Sequence, residues 1–287
     1  MTIDLHTHTN YSDGFFSPAE VIQAAAEKGL RAIAISDHDT TRGAREALPL
    51  AAAAGIELVP AIEITTSWLG VGLSKGEQDV DLLGFFIDLE DAEFRAYETA
   101  LLADIHQRVA DCCTRLSQQG YPIMIEDVFA ENPHYAGPLY TVLALMHKDL
   151  ASDWDAGSRL FNPVWAERRP SSFTIQSAIA AIHRAGGAAV LAHPSIVNPN
   201  GRTLDAGSLR LLVDAGLDGI EIFHHRLDAA AREHFMALAE RFHLVTTGGS
   251  DLHGYHEGTA RLGQEPVSPE MLEAVRESAK EIRSKTG

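Results

Sequence analysis

Short hydrophobic runs alternate with amphipathic stretches along most of the chain. A strand-like run near residues 2–5 is followed by a helical pattern over 18–28, which ends at Gly29. Further strands are predicted at 31–36, 57–65, 80–87, 188–192, 218–223 and 244–247. Repeated strand–helix units favour a parallel sheet, either closed into a barrel or doubly wound, with functional residues at the carboxyl ends of the strands.

The alternation stops between about residues 91 and 172, where helical patterns follow one another without a convincing strand. A long helical stretch is predicted near 91–119, and others follow Glu126, Leu139 and Ser158. This pattern indicates an inserted helical subdomain. We therefore expect a discontinuous catalytic domain of residues 1–92 and 173–287, with a helical subdomain at 93–172 that shapes the substrate pocket.

Composition and charge narrow the functional classes. The 287 residues carry a formal net charge of −17, which argues against a broad nucleic-acid surface because such surfaces neutralise phosphates with Lys and Arg. Bound divalent cations could attract an anionic substrate locally. Cys112 and Cys113 are adjacent, which predicts reduced core residues. The chain has no long apolar span and no leader-like start, so we expect no membrane association and a cytoplasmic location.

Metal-ligating side chains recur at the ends of the predicted strands. His6 and His8 follow the first strand one residue apart, so both imidazoles can point to the same side of an extended segment. Glu63 lies in the third strand. The candidate ligands from the strand ends are His6, His8, Asp13, His38, Glu63, His193, Asp251 and His253.

This ligand set limits the cofactor and the reaction. Imidazoles and carboxylates without cysteine suit Mn²⁺, Zn²⁺ or Fe²⁺, and the candidates are too many for one tetrahedral ion. We expect two or three divalent cations bridged by Glu63. Such a centre would activate water as a metal-bound hydroxide and neutralise phosphoryl oxygens, so hydrolysis is the predicted reaction.

Five motifs resemble the polymerase and histidinol phosphatase (PHP) superfamily. They are DLHTHTNYSDG at 4–14, SDHDTTRG at 36–43, the Glu63 strand, AHP at 192–194 and GGSDLHG at 248–254. Their arrangement is most similar to stand-alone metal-dependent phosphoesterases that include the 3',5'-nucleoside bisphosphate phosphatases. The resemblance implies a distorted (β/α)7 barrel with an inserted helical subdomain and a trinuclear centre. It implies one metal held by His6, His8, Glu63 and Asp251, a second by Glu63 and His193, and a third by Asp13, His38 and His253.

The chain departs from these relatives in several positions. Asp81 stands where they have a histidine ligand, and we expect it to bind metal in that place. Basic residues of the relatives are missing from the stretch 136–140 and at Ile196. Candidate substitutes for binding substrate phosphate are Arg169, Arg202, Arg168 and Lys148. His224 or His225 is the candidate general acid.

The predicted function is metal-dependent hydrolysis of a small phosphomonoester, such as a nucleotide or nucleoside bisphosphate. Alternatives on the same site are a histidinol-phosphate-type phosphatase and a 5'-3' exonuclease acting on oligonucleotides. An amidohydrolase and a non-catalytic metal-binding module are further alternatives. The carboxylate at Glu63 and the combined motifs argue against the amidohydrolase, and the near-complete ligand set argues against the non-catalytic module.

Overall fold

The computed structural model describes residues 2–68, 78–194, 204–255 and 258–286. Within these residues, seven strands form one sheet in which neighbouring strands follow the order of the sequence. The strands are β1 (Thr2–Asp4), β2 (Leu30–Ile35), β3 (Glu57–Trp68), β4 (Gln78–Phe85), β5 (Ala188–Leu191), β6 (Gly219–Phe223) and β7 (Val245–Gly248). The helices are α1 (Pro18–Glu27), α2 (Arg42–Ala54), α3 (Ala92–Gln118), α4 (Ile125–Glu131), α5 (Pro138–His147), α6 (Trp154–Ala166), α7 (Ile175–Arg184), α8 (Ala206–Asp214), α9 (Ala229–Phe242) and α10 (Pro269–Thr286). The fold is therefore mixed α/β, as predicted.

The fourth strand runs against its neighbours, which corrects the expectation of an all-parallel sheet. β4 pairs antiparallel with both β3 and β5, whereas the other neighbouring strands pair in parallel. Nine residues separate Trp68 from Gln78, fewer than the dozen or so that a parallel crossover needs. As a result, Asp81, near the start of β4, lies at the sheet edge where the parallel strands end.

Backbone hydrogen bonds bring the ends of β1 and β7 together. The Leu5 N–H donates to the Gly248 carbonyl at 3.3 Å, and the Asp251 N–H donates to the His6 carbonyl at 2.9 Å. Thr7 forms a parallel bridge with Leu252. The two motifs from opposite ends of the chain are consequently neighbours in space.

The sheet is buried on both faces. Alternate residues of β3 divide between two hydrophobic clusters, with Ile62 and Ile64 in one and Val59 and Ala61 in the other. Helix α10, which was not predicted from the sequence, covers the cluster that contains Val59. Its buried residues Leu272, Val275, Ala279 and Ile282 recur every three or four positions, which is the helical signal the sequence carries there.

Helices α3 to α6 enclose a hydrophobic cluster of their own, formed by buried residues between Ile105 and Val164. Cys112 and Cys113 lie in it as free, buried thiols, as predicted. Asp91 begins α3 by accepting a hydrogen bond from the Phe94 N–H at 2.6 Å. The proposed subdomain bounds of 93–172 remain a prediction. Among the described helices, none combines the length and apolar character needed to cross a membrane.

Candidate metal centre

Four buried side chains converge where β1, β3 and β7 meet. His6 Nε2 lies 3.1 Å from His8 Nε2, 3.2 Å from Glu63 Oε2 and 3.4 Å from Asp251 Oδ1. His8 Nε2 lies 3.2 Å from Glu63 Oε2 and 3.3 Å from Asp251 Oδ1. Ligands bound tetrahedrally at about 2.0–2.1 Å stand about 3.3 Å from one another. The four side chains therefore match the ligand spacing of a divalent cation.

A close approach of two backbone segments allows this convergence. A Cβ atom on Gly249 would lie 2.4 Å from the His6 backbone nitrogen, so only glycine fits there. Asp251 then adopts a left-handed conformation with φ of 52°, and His193 has φ of 23°. Non-glycine residues rarely adopt positive φ, and they do so mostly where surrounding contacts enforce it at functional sites.

Gly249→Ala is expected to separate β1 from the segment after β7. The added methyl group must displace His6, so the free energy of unfolding should fall by about 1–3 kcal/mol and metal bound per chain should decrease. Chemical denaturation and elemental analysis measure the two effects. Gly207→Ala is the matched control, because its Cβ would meet only Asp205 Oδ1 at an ordinary 3.4 Å. Equal behaviour of the two variants would contradict the prediction.

A second group lies beside the first and is partly open to solvent. His253 Nε2 is 3.2 Å from Asp13 Oδ1, and His38 Nε2 is 3.9 Å from Asp13 Oδ2. His38 Nδ1 is a buried atom without a hydrogen-bond partner among the described residues. Unsatisfied buried polar atoms are uncommon, and a bound ion is one reason for them.

Glu63 connects the groups. Its Oε2 lies 3.4 Å from His38 Nε2 in addition to its contacts with His6 and His8, and its Oε1 lies 2.8 Å from His193 Nε2. Asp81 offers a carboxylate oxygen within 4.8 Å of the ligand atoms of His38 and Glu63. The nine predicted ligands thus form one connected cluster, which we call the histidine–carboxylate cluster.

The electrostatics of the cluster favour bound cations. Burial disfavours the charged form of Glu63, yet the histidines around it hold its pKa well below the usual range. Burial likewise opposes protonation of His38, but the carboxylates of Glu63, Asp13 and Asp81 raise its pKa to about 9. Against the same opposing effect of burial, Asp13 and Asp251 raise the pKa of His253 to about 10. The negative field that retains these protons would equally attract a divalent cation.

Buried carboxylates outside the cluster orient its members. Glu221 Oε1 lies 3.0 Å from His6 Nδ1, and its Oε2 accepts the His193 N–H at 2.9 Å. Asp37 accepts hydrogen bonds from Thr9 and from the Ser12 hydroxyl, which fixes the loop after β1. Glu221 is absent from the predicted site residues. Its signal was a single carboxylate inside the apolar strand GIEIF.

The two candidate general acids have different surroundings. His224 Nδ1 accepts the Arg226 N–H at 3.2 Å, so its protonated Nε2 can donate to Asp251 Oδ2 at 3.2 Å. His225 Nε2 lies 2.8 Å from an Arg261 nitrogen. Burial, with further contributions from His224 and Arg261, lowers the pKa of His225 to about 4. His225 is therefore unprotonated near neutral pH, which makes it a poor proton donor.

The arginine and lysine side chains predicted to bind substrate phosphate contact residues of the helical segment. Arg169 pairs with Asp104 at 2.8 Å, and Lys148 Nζ pairs with Asp127 at 2.7 Å. The Arg168 guanidinium lies 4.1 Å from the centre of the Trp165 ring. These contacts are with helices α3 to α6 and not with the histidine–carboxylate cluster. Arg202 and Ile196 lie outside the described residues.

Comparisons with known proteins agree with this arrangement. The chain is 30% identical over 262 residues to a 5'-3' exoribonuclease of Haemophilus influenzae, covering 87% of this chain and 89% of the relative. It is 29% identical over 284 residues to a 3',5'-nucleoside bisphosphate phosphatase of Chromobacterium violaceum, covering 95% and 94% of the two chains. A solved structure described as a metal-dependent phosphoesterase from Bifidobacterium adolescentis superposes with a TM-score of 0.80 at 29% identity, covering 95% and 94%.

The names of these relatives span small phosphorylated substrates and RNA. The match to a sequence family is more specific. Residues 4–152, about half of the chain, match the PHP domain. The chain therefore belongs to the PHP family of metal-dependent phosphoesterases.

Proposed function

We propose that the chain hydrolyses a small phosphomonoester, a nucleotide or nucleoside bisphosphate, with the aid of two or three divalent cations. The observation that carries this proposal is the spacing of His6, His8, Glu63 and Asp251. Each of the two histidine nitrogens stands 3.1–3.4 Å from the other and from one oxygen of each carboxylate, which suits the coordination shell of a cation better than a hydrogen-bond network. Two imidazole nitrogens that face each other share one proton at most, whereas a cation satisfies both.

The ligands divide among three sites in the proposal. The first takes His6, His8, Glu63 and Asp251, the second takes Glu63, His193 and Asp81, and the third takes Asp13, His38 and His253. This mixture of imidazole and carboxylate donors without a thiolate suits Mn²⁺, Zn²⁺ or Fe²⁺. Cations bound there would polarise the phosphoryl group and lower the pKa of water.

Residues around the sites hold the ligands in position. Glu221 orients His6 and His193, while His224 donates to Asp251, so both fix the direction of ligand atoms. The first site is buried, which lowers the local dielectric constant and so would strengthen the attraction between its carboxylates and a bound cation. Of the two general-acid candidates, His224 lies beside the predicted ligand Asp251, whereas His225 contacts Arg261 and burial lowers its pKa to about 4.

A phosphate-release screen tests the proposal. The purified chain, loaded in turn with Mn²⁺, Zn²⁺ and Fe²⁺, is offered nucleoside monophosphates, 3',5'-bisphosphates, histidinol phosphate and short oligonucleotides. We expect release of inorganic phosphate, fastest from the nucleotides. Failure to cleave any phosphoester with fully loaded metal would overturn the proposal. Cleavage of amides alone would assign the amidohydrolase alternative instead.

A second candidate function is stepwise 5'-3' cleavage of oligonucleotides. The 30% identity to the Haemophilus influenzae exoribonuclease over 87% of this chain favours it. The same cluster could cleave a phosphodiester, because the chemistry at phosphorus requires the same cations. Product analysis separates the two functions, since an exonuclease releases mononucleotides and a phosphatase releases inorganic phosphate.

Asp81→Ala is expected to remove metal from the second site. Losing its carboxylate leaves Glu63 and His193 as the protein ligands there, so we expect roughly one fewer metal per chain and a drop in activity of about tenfold to a hundredfold. Asp81→His, which restores the histidine of related chains, should retain metal. Elemental analysis after reconstitution with Mn²⁺ measures both. Unchanged stoichiometry and activity in Asp81→Ala would remove Asp81 from the site.

A further inference from the structure

His225 and Arg261 form a hydrogen-bonded pair beside the histidine–carboxylate cluster. Arg261 Nη1 lies 2.8 Å from His225 Nε2. His225 in turn offers a ring nitrogen within 4.8 Å of ligand atoms of both His224 and Asp251. The His225 ring thus links the Arg261 guanidinium to the carboxylate of Asp251, a predicted ligand of the first metal site.

The hydrogen bond between the two side chains leaves most of the guanidinium available. Arginine carries five N–H donors and no acceptor, so His225 Nε2 accepts and the uncharged ring carries its hydrogen on Nδ1. Among the described residues, no carboxylate pairs with Arg261, although the chain has 40 Asp and Glu residues against 23 Lys and Arg. Arg232, which donates to the His224 carbonyl, instead pairs with Glu265 at 2.8 Å. The Arg261 charge is therefore available to bind an anion.

The backbone next to Arg261 is tied to the segments that carry predicted ligands. The buried Asp4 carboxylate accepts the Gly263 N–H through Oδ2 at 2.8 Å. Its Oδ1 accepts the His6 N–H at 3.2 Å and the Ser250 N–H at 2.9 Å. Because one buried carboxylate holds all three backbone segments, the turn that contains Arg261 has a defined position relative to the cluster.

The other basic side chains expected to bind phosphate have carboxylate partners or contacts away from the cluster. Arg169 and Lys148 pair with Asp104 and Asp127 of the helical segment. Arg261, which was not predicted from the sequence to bind substrate, lacks such a partner among the described residues and lies one ring from the cluster. It is therefore the better candidate for contact with a phosphate there.

We propose that Arg261 binds the phosphate group that occupies the histidine–carboxylate cluster, and that His225 orients its guanidinium. The inference rests on the proposed phosphoesterase function and deepens it, because it names a side chain that holds phosphoryl oxygens beside the cations. The planar guanidinium matches two phosphate oxygens at once, and such charge-assisted hydrogen bonds are roughly twice as strong as neutral ones. His225 is a positioning residue, since it contacts the guanidinium and not the phosphate.

Calorimetry with inorganic phosphate on the Mn²⁺-loaded chain tests the binding without turnover. We expect Arg261→Gln to weaken phosphate binding about tenfold to a hundredfold, because charge-assisted hydrogen bonds are lost. Arg261→Lys keeps the charge but not the forked geometry, so it should give an intermediate Kd. Arg210→Gln, which removes an exposed positive charge from α8, is the matched control expected to leave the Kd unchanged. Equal Kd values for the wild-type chain and Arg261→Gln would overturn the proposal.

A double-mutant cycle with His225→Phe tests the positioning role. Phenylalanine keeps an aromatic ring but removes the acceptor nitrogen, so Arg261 keeps its charge and loses its orientation. We expect His225→Phe to weaken phosphate binding less than Arg261→Gln does. The double variant should bind phosphate as weakly as Arg261→Gln alone, because both changes act on one contact. Additive losses would show that His225 acts independently of Arg261 and would overturn its positioning role.

Phosphate-release kinetics separate this inference from the proposed function. We expect Arg261→Gln to raise KM for a cleaved phosphomonoester while metal per chain and the thermal midpoint stay unchanged. If phosphate binding depends on Arg261 but no phosphoester is cleaved, the binding site stands and the proposed function fails. If phosphoesters are cleaved with a KM and a phosphate Kd that are insensitive to Arg261, the function stands and this inference is wrong. Loss of metal with an unchanged phosphate Kd would show that Arg261 only supports the loop after β6, which also overturns the inference.

Discussion

Glu63→Gln is expected to reduce phosphate release by about a thousandfold or more, equivalent to about 4 kcal/mol of transition-state stabilisation. Glu63 contacts four histidines, and both of its oxygens are engaged. Glutamine preserves the size of the side chain but removes its charge and one of the two acceptor oxygens. The first and second proposed sites, which share Glu63, should therefore weaken together, which elemental analysis and steady-state kinetics can follow.

Glu57→Gln is the matched control, because this residue begins the strand that contains Glu63. Its side chain is exposed and pairs with Arg276 at the surface, so its loss should cost little. Full activity in Glu63→Gln, or equal losses in the two variants, would remove Glu63 from the centre. Circular dichroism of both variants separates a loss of metal from a loss of fold.

Chelation of metal is expected to abolish activity and to lower the thermal midpoint of unfolding by at least about 5 °C. A ligand present at about a thousand times its Kd stabilises the folded state by about 4 kcal/mol, and this contribution disappears when the ligand is removed. The carboxylates and imidazoles are buried together, so without a cation their charges are balanced only by protons and by one another. Differential scanning calorimetry and activity measurements report the two effects.

Reconstitution distinguishes loss of metal from irreversible damage. Activity and midpoint should return together on adding Mn²⁺, Zn²⁺ or Fe²⁺, and the ion that restores the most activity identifies the best fit to the cluster. Chelated protein that keeps both its activity and its midpoint would contradict a metal-dependent function. A wild-type chain that unfolds at the same temperature in both states but loses activity would assign the metals a purely catalytic role.

The sequence predicted most of the side chains that converge in the histidine–carboxylate cluster, because each follows or lies in a strand with a clear hydrophobic pattern. His6, His8 and His193 are examples, since parallel strands bring their ends to one edge. The antiparallel direction of β4 was not predicted, because hydrophobic content alone does not report direction. Asp81 lies near His38 and Glu63 because β4 runs antiparallel, a direction that the sequence pattern did not contain, and its role as a metal ligand stays a prediction.

The sequence patterns could not predict which side chains from distant segments of the chain would contact one another. Arg169 and Lys148 were chosen by charge, but their partners Asp104 and Asp127 are set by packing among helices. Glu221 supports His6 across 215 residues of chain, a pairing that no local pattern indicates.

Helix α3 separates the strands that hold the predicted ligands from the rest of the helical segment. Its 27 residues span about 40 Å, enough to carry the chain across the molecule between strands that hold ligands. None of the nine predicted ligands comes from α3 to α6, and those helices meet the loop after β1 through hydrogen bonds from Asn132 and Tyr140 to backbone carbonyls. Bonds to carbonyls do not depend on the identity of the loop's side chains. Glu98 of α3, by contrast, accepts hydrogen bonds from the Thr40 and Thr41 hydroxyls and pairs with Arg45, so the helical segment can be exchanged between relatives only together with these three partners.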